Sequence, residues 1–266
     1  CIRYIAPNSM VTTYAGNGTP GFLDNNGINA QFNYPMHLAI DLNGNIFVAD
    51  SNNHRIRKIS PTGDVTTIAG SDSGFADGDG NVAKFNYPEG IAVDNLGNLF
   101  IADSGNNRIR KITSSGFVTT LAGSDNFGFA DGNGSSAKFW TPCGIALDSN
   151  GAIIVAEKQN NRVRKVLQNG DVSTIAGNGT SGSTNGIGTA AQFRNPFDVA
   201  IDVAGDIYVA DSGNNRIRKI TTTSVVTTLA GSTSGYLDGI GTSAKFNYPI
   251  GISVATDGKV YVSESG

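Results

Sequence analysis

The chain has 266 residues, of which 15 % are charged, with 35 glycines and a formal net charge of −3. That balance supplies no electrostatic reason to bind nucleic acid, and no run of 18 apolar residues is present to span a membrane. The two cysteines, Cys1 and Cys143, have no motif spacing and no disulfide-dense framework around them.

From the N-terminus, Ile2-Arg3-Tyr4-Ile5 and Val11-Thr12-Thr13-Tyr14-Ala15 read as two short strands, and a block then begins that recurs to the end of the chain. Its prolines, Pro35, Pro88, Pro142, Pro196 and Pro249, stand 53, 54, 54 and 53 residues apart. The carboxylates Asp50, Asp103, Glu157, Asp211 and Glu264 keep the same spacing. Such a period identifies a repeat architecture. Residues present in every copy are explained first by folding, so function is sought where the copies disagree.

The second copy is the clearest. Ile91-Ala92-Val93 is a short apolar run, closed by a tight turn at Asp94 to Asn98 in which Asp94 can bond its own backbone. Leu99-Phe100-Ile101-Ala102 is continuously apolar, which predicts a strand buried on both faces. A turn at Ser104 to Asn107 leads into Arg108-Ile109-Arg110-Lys111-Ile112, and after Ser114-Ser115-Gly116 a fourth strand runs from Val118 to Ala122. Four short strands joined by hairpins predict an all-β propeller of four-stranded antiparallel blades. In the long connections Phe32, Phe85, Phe139, Phe193 and Phe246 recur and are predicted to plug the gaps between blades. Ser135 to Phe139 and Thr189 to Phe193 predict single N-capped helical turns. The last residues, Gly251 to Val254 and Val260 to Glu264, match the first two strands of a blade and so complement the opening pair. The sequence therefore predicts one domain over 1–266, closed by N- and C-terminal strands sharing one blade, which would remove exposed sheet edges. Five blades are favoured over the alternative, a six-bladed ring of which one repeat is missing.

The runs Pro88-Glu89-Gly90-Ile91-Ala92-Val93-Asp94, Gly97-Asn98-Leu99-Phe100-Ile101-Ala102-Asp103 and Asn106-Asn107-Arg108-Ile109-Arg110-Lys111-Ile112 resemble NHL repeats. The form is the one with a long Gly-Phe-Ala-Asp-Gly loop, common in bacterial secreted proteins, and the resemblance covers nearly the whole chain. It implies the propeller but no single function, since NHL propellers include protein- and RNA-binding modules, receptor-kinase sensor domains and a metal-dependent amidating lyase. With the Ser, Thr, Asn and Gly content it implies an extracellular or periplasmic location and membership of a larger multidomain protein. The chain begins inside a repeat with no signal segment in view, as a mature or excised chain does.

Asp103 and Arg108, with Asp50/Arg55, Glu157/Arg162 and Asp211/Arg216, bracket a turn and are expected to pair across it for under about 1 kcal/mol each. Cys1 takes the arginine position opposite Glu264. Asp77, Asp79 and Asn81 alternate as the oxygen ligands of a calcium loop do, but the downstream glutamate is missing, so turn stabilisation is the first explanation and calcium the second. No other cofactor is called for. Only His37 and His54 exist, too few for a site of several metal-binding histidines, and His54 reads as a surface substitution for a turn asparagine.

The copies disagree most just after the proline. There Met36, His37, Glu89, Cys143, Phe197, Asp198 and Ile250 are expected to ring one mouth of the channel as ligand-binding residues. Trp140, Lys158 and Gln159 mark a second patch on the loops of the third copy. The expected function is a non-catalytic scaffold presenting these surfaces to a protein or glycan. The alternative is a metal-dependent lyase or hydrolase at the channel mouth, using His37, Glu89 and Asp198.

Overall fold

A computed structural model describes residues 1–266 as strands and short 3-10 turns, with no α-helix. The chain packs as two compact units, one of Cys1–Asn106 with Arg110–Thr120 and one of Asn107–Ile109 with Leu121–Gly266.

The chain opens with a hairpin of Ile2–Ile5 and Val11–Ala15, followed by a four-stranded sheet of Pro35–Ile40, Ile46–Asp50, Arg55–Ile59 and Val65–Ala69. Three further antiparallel sheets begin at Pro88–Val93, Pro142–Leu147 and Pro196–Ile201, and a hairpin of Pro249–Val254 and Val260–Glu264 closes the series. In each of these sheets the four main strands neighbour one another in chain order, as hairpin connections require. The second strands Leu99–Asp103, Ile153–Glu157 and Ile207–Asp211 are buried along their whole length, which is what their unbroken apolar runs dictate.

Three sheets carry a fifth strand that has no counterpart in the expected four-stranded blade. Gly78–Asp79, Gly132–Asn133 and Gly186–Ile187 from the long connections pair with the fourth strand of the following sheet. Two residues are too few to display an alternation, so no period announces them. The two terminal hairpins are each two-stranded sheets.

Phe32, Phe85 and Phe193 are buried in clusters that join neighbouring sheets, as expected; Phe139 is fully buried and Phe246 only partly so. The predicted helical turns are 3-10 turns, Gly134–Ser136 and Gly188–Ala190, held by the Ala137 and Ala191 amides rather than by a side-chain cap at Ser135 or Thr189. The glycine after each fourth strand has a steric cause. At Gly70 and Gly123 the φ angles are 100° and 102°, and a Cβ would collide with the carbonyl of His54 or Asn107.

Candidate binding site

The repeated carboxylates are structural, but through a different partner from the expected one. Asp50, Glu157 and Asp211 do lie opposite Arg55, Arg162 and Arg216 in backbone register. The ion pairs instead run diagonally to Arg57, Arg110, Arg164 and Arg218, at 2.7 to 2.9 Å, with both partners fully buried. The diagonal arginine wins because it also reaches acceptors on the long connection: Arg110 binds Asp77 at 2.6 Å and donates to the carbonyls of Ala76 and Lys84, and Arg218 donates to Asn185 Oδ1. Asp103 is saturated in turn, accepting from Asn86 N, Asn106 Nδ2 and Arg110. Burial raises its carboxyl above the usual value, while Arg110 and these donors pull the other way. Arg108 instead binds the exposed Asp125 at 2.6 Å.

This network also takes the first residue of the candidate calcium loop. Asp77 spends one oxygen on Arg110 and the Thr120 hydroxyl and the other on the Thr120 amide. Asp79 lies in the two-residue strand against Phe117. In neither unit do three His, Cys, Asp or Glu side chains gather as a metal ion requires. Asp77 is thus committed to the fold rather than left to the candidate calcium loop.

In the first unit His37 and Met36 open their strand beside the one carrying Glu89, and His37 Nδ1 lies 3.1 Å from Ile91 O and 3.3 Å from Ile91 N. In the second unit Cys143 and Asp198 are buried, while Phe197 and Ile250 keep partial exposure. Asp198 accepts from Val199 N and Ile252 N, each at 2.9 Å. A Cβ on Gly144 would collide with that carboxylate. The glycine pattern and its two breaks thus share one cause: this position faces the neighbouring first strand. Glycine leaves room there, whereas His37 and Asp198 fill it and reach backbone 54 residues ahead.

The second predicted patch gains a member that the sequence did not single out. Trp140 packs against Phe127 with ring centroids 5.1 Å apart and planes tilted by 37°. Both rings are open to solvent, at 40 % and 61 % exposure. Trp140 is held by its backbone: its N–H donates to the buried Glu157, and its carbonyl accepts from Gln159 N at 3.3 Å. Lys158 lays its ammonium 5.1 Å from the centre of the Phe197 ring. Within the second unit, Phe197 of the expected channel-mouth set and Trp140, Lys158 and Gln159 of the loop set are therefore contiguous. Phe127 carried one signal, since the equivalent loop positions hold Pro20 and Ser181.

His54 is more than a surface substitution. Its turn places it in the left-handed region, and Nδ1 accepts the Tyr87 amide at 3.1 Å. Asn107, Asn161 and Asn215 make the same bond to Thr141, Asn195 and Tyr248 at 2.9 Å through the amide oxygen.

The family model of the NHL repeat matches residues 32–59, 85–112 and 193–220. Protein SUPPRESSOR OF QUENCHING 1, chloroplastic, of Arabidopsis thaliana is 29 % identical over 231 residues, 80 % of this chain and 22 % of that protein. NHL repeat-containing protein 2 of Bos taurus is 28 % identical over 309 residues, 99 % of this chain and 42 % of that protein. The chain spans less than half the length of these curated relatives. Among solved structures, a streptogramin B lyase superposes with a TM-score of 0.64 at 19 % identity, covering 98 % of this chain and 68 % of that one, a likeness of propeller fold alone.

Proposed function

We propose that this chain of NHL repeats is a non-catalytic binding scaffold whose contact surface, for a protein or glycan partner, is the Phe127–Trp140 patch with Lys158, Gln159 and Phe197 beside it. One observation carries the reading: two residues that depart from the repeat, Phe127 and Trp140, meet as an exposed aromatic pair. Elsewhere the repeated aromatics serve the fold, with Phe85, Phe139 and Phe193 buried beneath Arg110, Arg164 and Arg218. Exposed aromatic surface on a rigid frame is characteristic of interaction sites, and the Glu157 bond to the Trp140 backbone supplies that frame.

The alternative, a metal-dependent lyase or hydrolase, draws on His37, Glu89 and Asp198. It has less support, because His37 Nδ1 and one Asp198 oxygen lie against backbone of an adjacent strand and the other Asp198 oxygen accepts the Val199 amide of its own strand. An extracellular or periplasmic location and a place in a longer multidomain protein complete the proposal.

The test compares wild type with Phe127→Ala/Trp140→Ala on a glycan array and on a display library of random linear peptides. Retention should fall at least about tenfold, the scale of losing one aromatic anchor, with melting temperature within about 2 °C of wild type. Equal retention by the double variant rejects this surface.

A further inference from the structure

The patch has a charge character as well as an aromatic one. Lys158 stands where the other copies have Ser51, Ser104 and Ser212. Arg194 occupies the position equivalent to Trp140, where the remaining copies have Asn33, Asn86 and Asn247. Both new charges are positive, and both fall on one seam. The Asn195 amide bonds Asn161 across it and Lys158 reaches over it to Phe197; Arg194, next in the chain to Asn195 and exposed, runs its stem along Gly213 of its own copy's turn. Neither cation has a carboxylate partner, because nearby acids are committed elsewhere: Glu157 to Arg164, Asp125 to Arg108 and Asp211 to Arg218.

We propose that the Trp140 patch recognises an acidic polypeptide segment, with an apolar side chain seated against Phe127 and Trp140 and carboxylates facing Lys158 and Arg194. This rests on the binding reading above and narrows it. The tilted aromatic pair makes a wedge that fits a side chain better than a flat sugar ring, which stacks on a single open face. Two unpartnered cations beside it supply the charge complementarity that selects an acidic partner and speeds encounter. Nucleic acid is disfavoured, since phosphate tracking needs a line of basic residues on a basic surface, and this chain carries a net charge of −3.

The experiment pans the random-peptide library on the wild-type chain. The enriched peptides are then measured by fluorescence anisotropy at low and physiological salt, alongside polyuridylate RNA and the glycan array. The expected enrichment is for Asp and Glu around a Leu, Pro or aromatic anchor. Lys158→Glu and Arg194→Glu should each weaken the winning peptide about fivefold or more at low salt, and less once salt screens the charges. Trp140→Ala should weaken it independently of salt. Uncharged winners that depend on Trp140 but ignore both charge reversals overturn the acidic assignment and leave the binding reading standing. Binding of a glycan in place of any peptide does the same, whereas binding of RNA alone overturns both the acidic assignment and the protein-or-glycan reading. No retention of peptide, RNA or glycan removes both.

Discussion

In the first unit the turn after the second strand reads Ser51-Asn52-Asn53-His54, and in the second unit one equivalent reads Lys158-Gln159-Asn160-Asn161. The third residue does the same work in both: Asn53 bonds Asp50, and Asn160 bonds Glu157. The fourth does too, since His54 and Asn161 each accept an amide from the following copy's loop. The first two positions differ: where Ser51, Ser104 and Ser212 are buried at the first, this one turn of the second unit carries a cation and a long amide beside an exposed aromatic pair. A departure from the repeat thus has a different meaning at different places in one turn. At His54 it is a substitute for a structural acceptor; at Lys158 it is new surface.

The largest effect expected from this contrast lies under the turn. Asp103→Asn leaves the Arg110 guanidinium buried without its full countercharge and should cost about 3–5 kcal/mol, read by urea unfolding. Arg108→Ala removes a pair whose acid is solvent-exposed and should cost under about 1 kcal/mol. If the two variants lose equal stability, the diagonal pairing is not what holds the sheet. A smaller loss is expected at the strand openings. Asp198→Ala deprives the Ile252 and Val199 amides of their acceptor and should cost about 1–3 kcal/mol. No loss there would release Asp198 for a ligand role.

The strands were legible because each has its own period or unbroken apolar run, and the turns because Asp94 and Gly97 carry their geometry with them. The arginine partners were not. Backbone register correctly set Asp50 opposite Arg55, but the side chain that reaches the carboxylate is chosen by Asp24, which also binds Arg57 and comes from a connection 33 residues earlier. The candidate site was legible as to Trp140, Lys158 and Gln159, each an outlier at a fixed repeat position. Phe127 escaped notice because its loop varies in length: two copies lack the position and two others hold Pro20 and Ser181, so no repeated residue stands there to make the departure plain. The tie between Lys158 and Phe197 was hidden for a related reason: it joins two copies, and a repeat read one copy at a time shows no neighbours.

The smallest expected effect tests the claim that His54 is a structural acceptor. Because the Tyr87 amide can only donate, Nδ1 must be unprotonated, and an imidazolium would set N–H against N–H. Burial lowers the His54 pKa from its ordinary value, Arg55 adds to the lowering and Asp72 opposes it; the Tyr87 ring, 4.8 Å away edge-on, completes its surroundings. The folded value lies below the unfolded one, so the unfolded chain binds the proton more readily. The contribution is therefore complete above about pH 6.5 and is lost as pH falls through the folded value. Asn107, Asn161 and Asn215 make the same bond with an oxygen that does not titrate. His54→Asn should accordingly match wild type near pH 7.5 and exceed it by about 1 kcal/mol near pH 5, the worth of one hydrogen bond. Every other ionisable group is common to the two proteins, so the difference between two urea series isolates His54. Parallel pH profiles would mean that the imidazole is only a neighbour of the Tyr87 amide and not its acceptor.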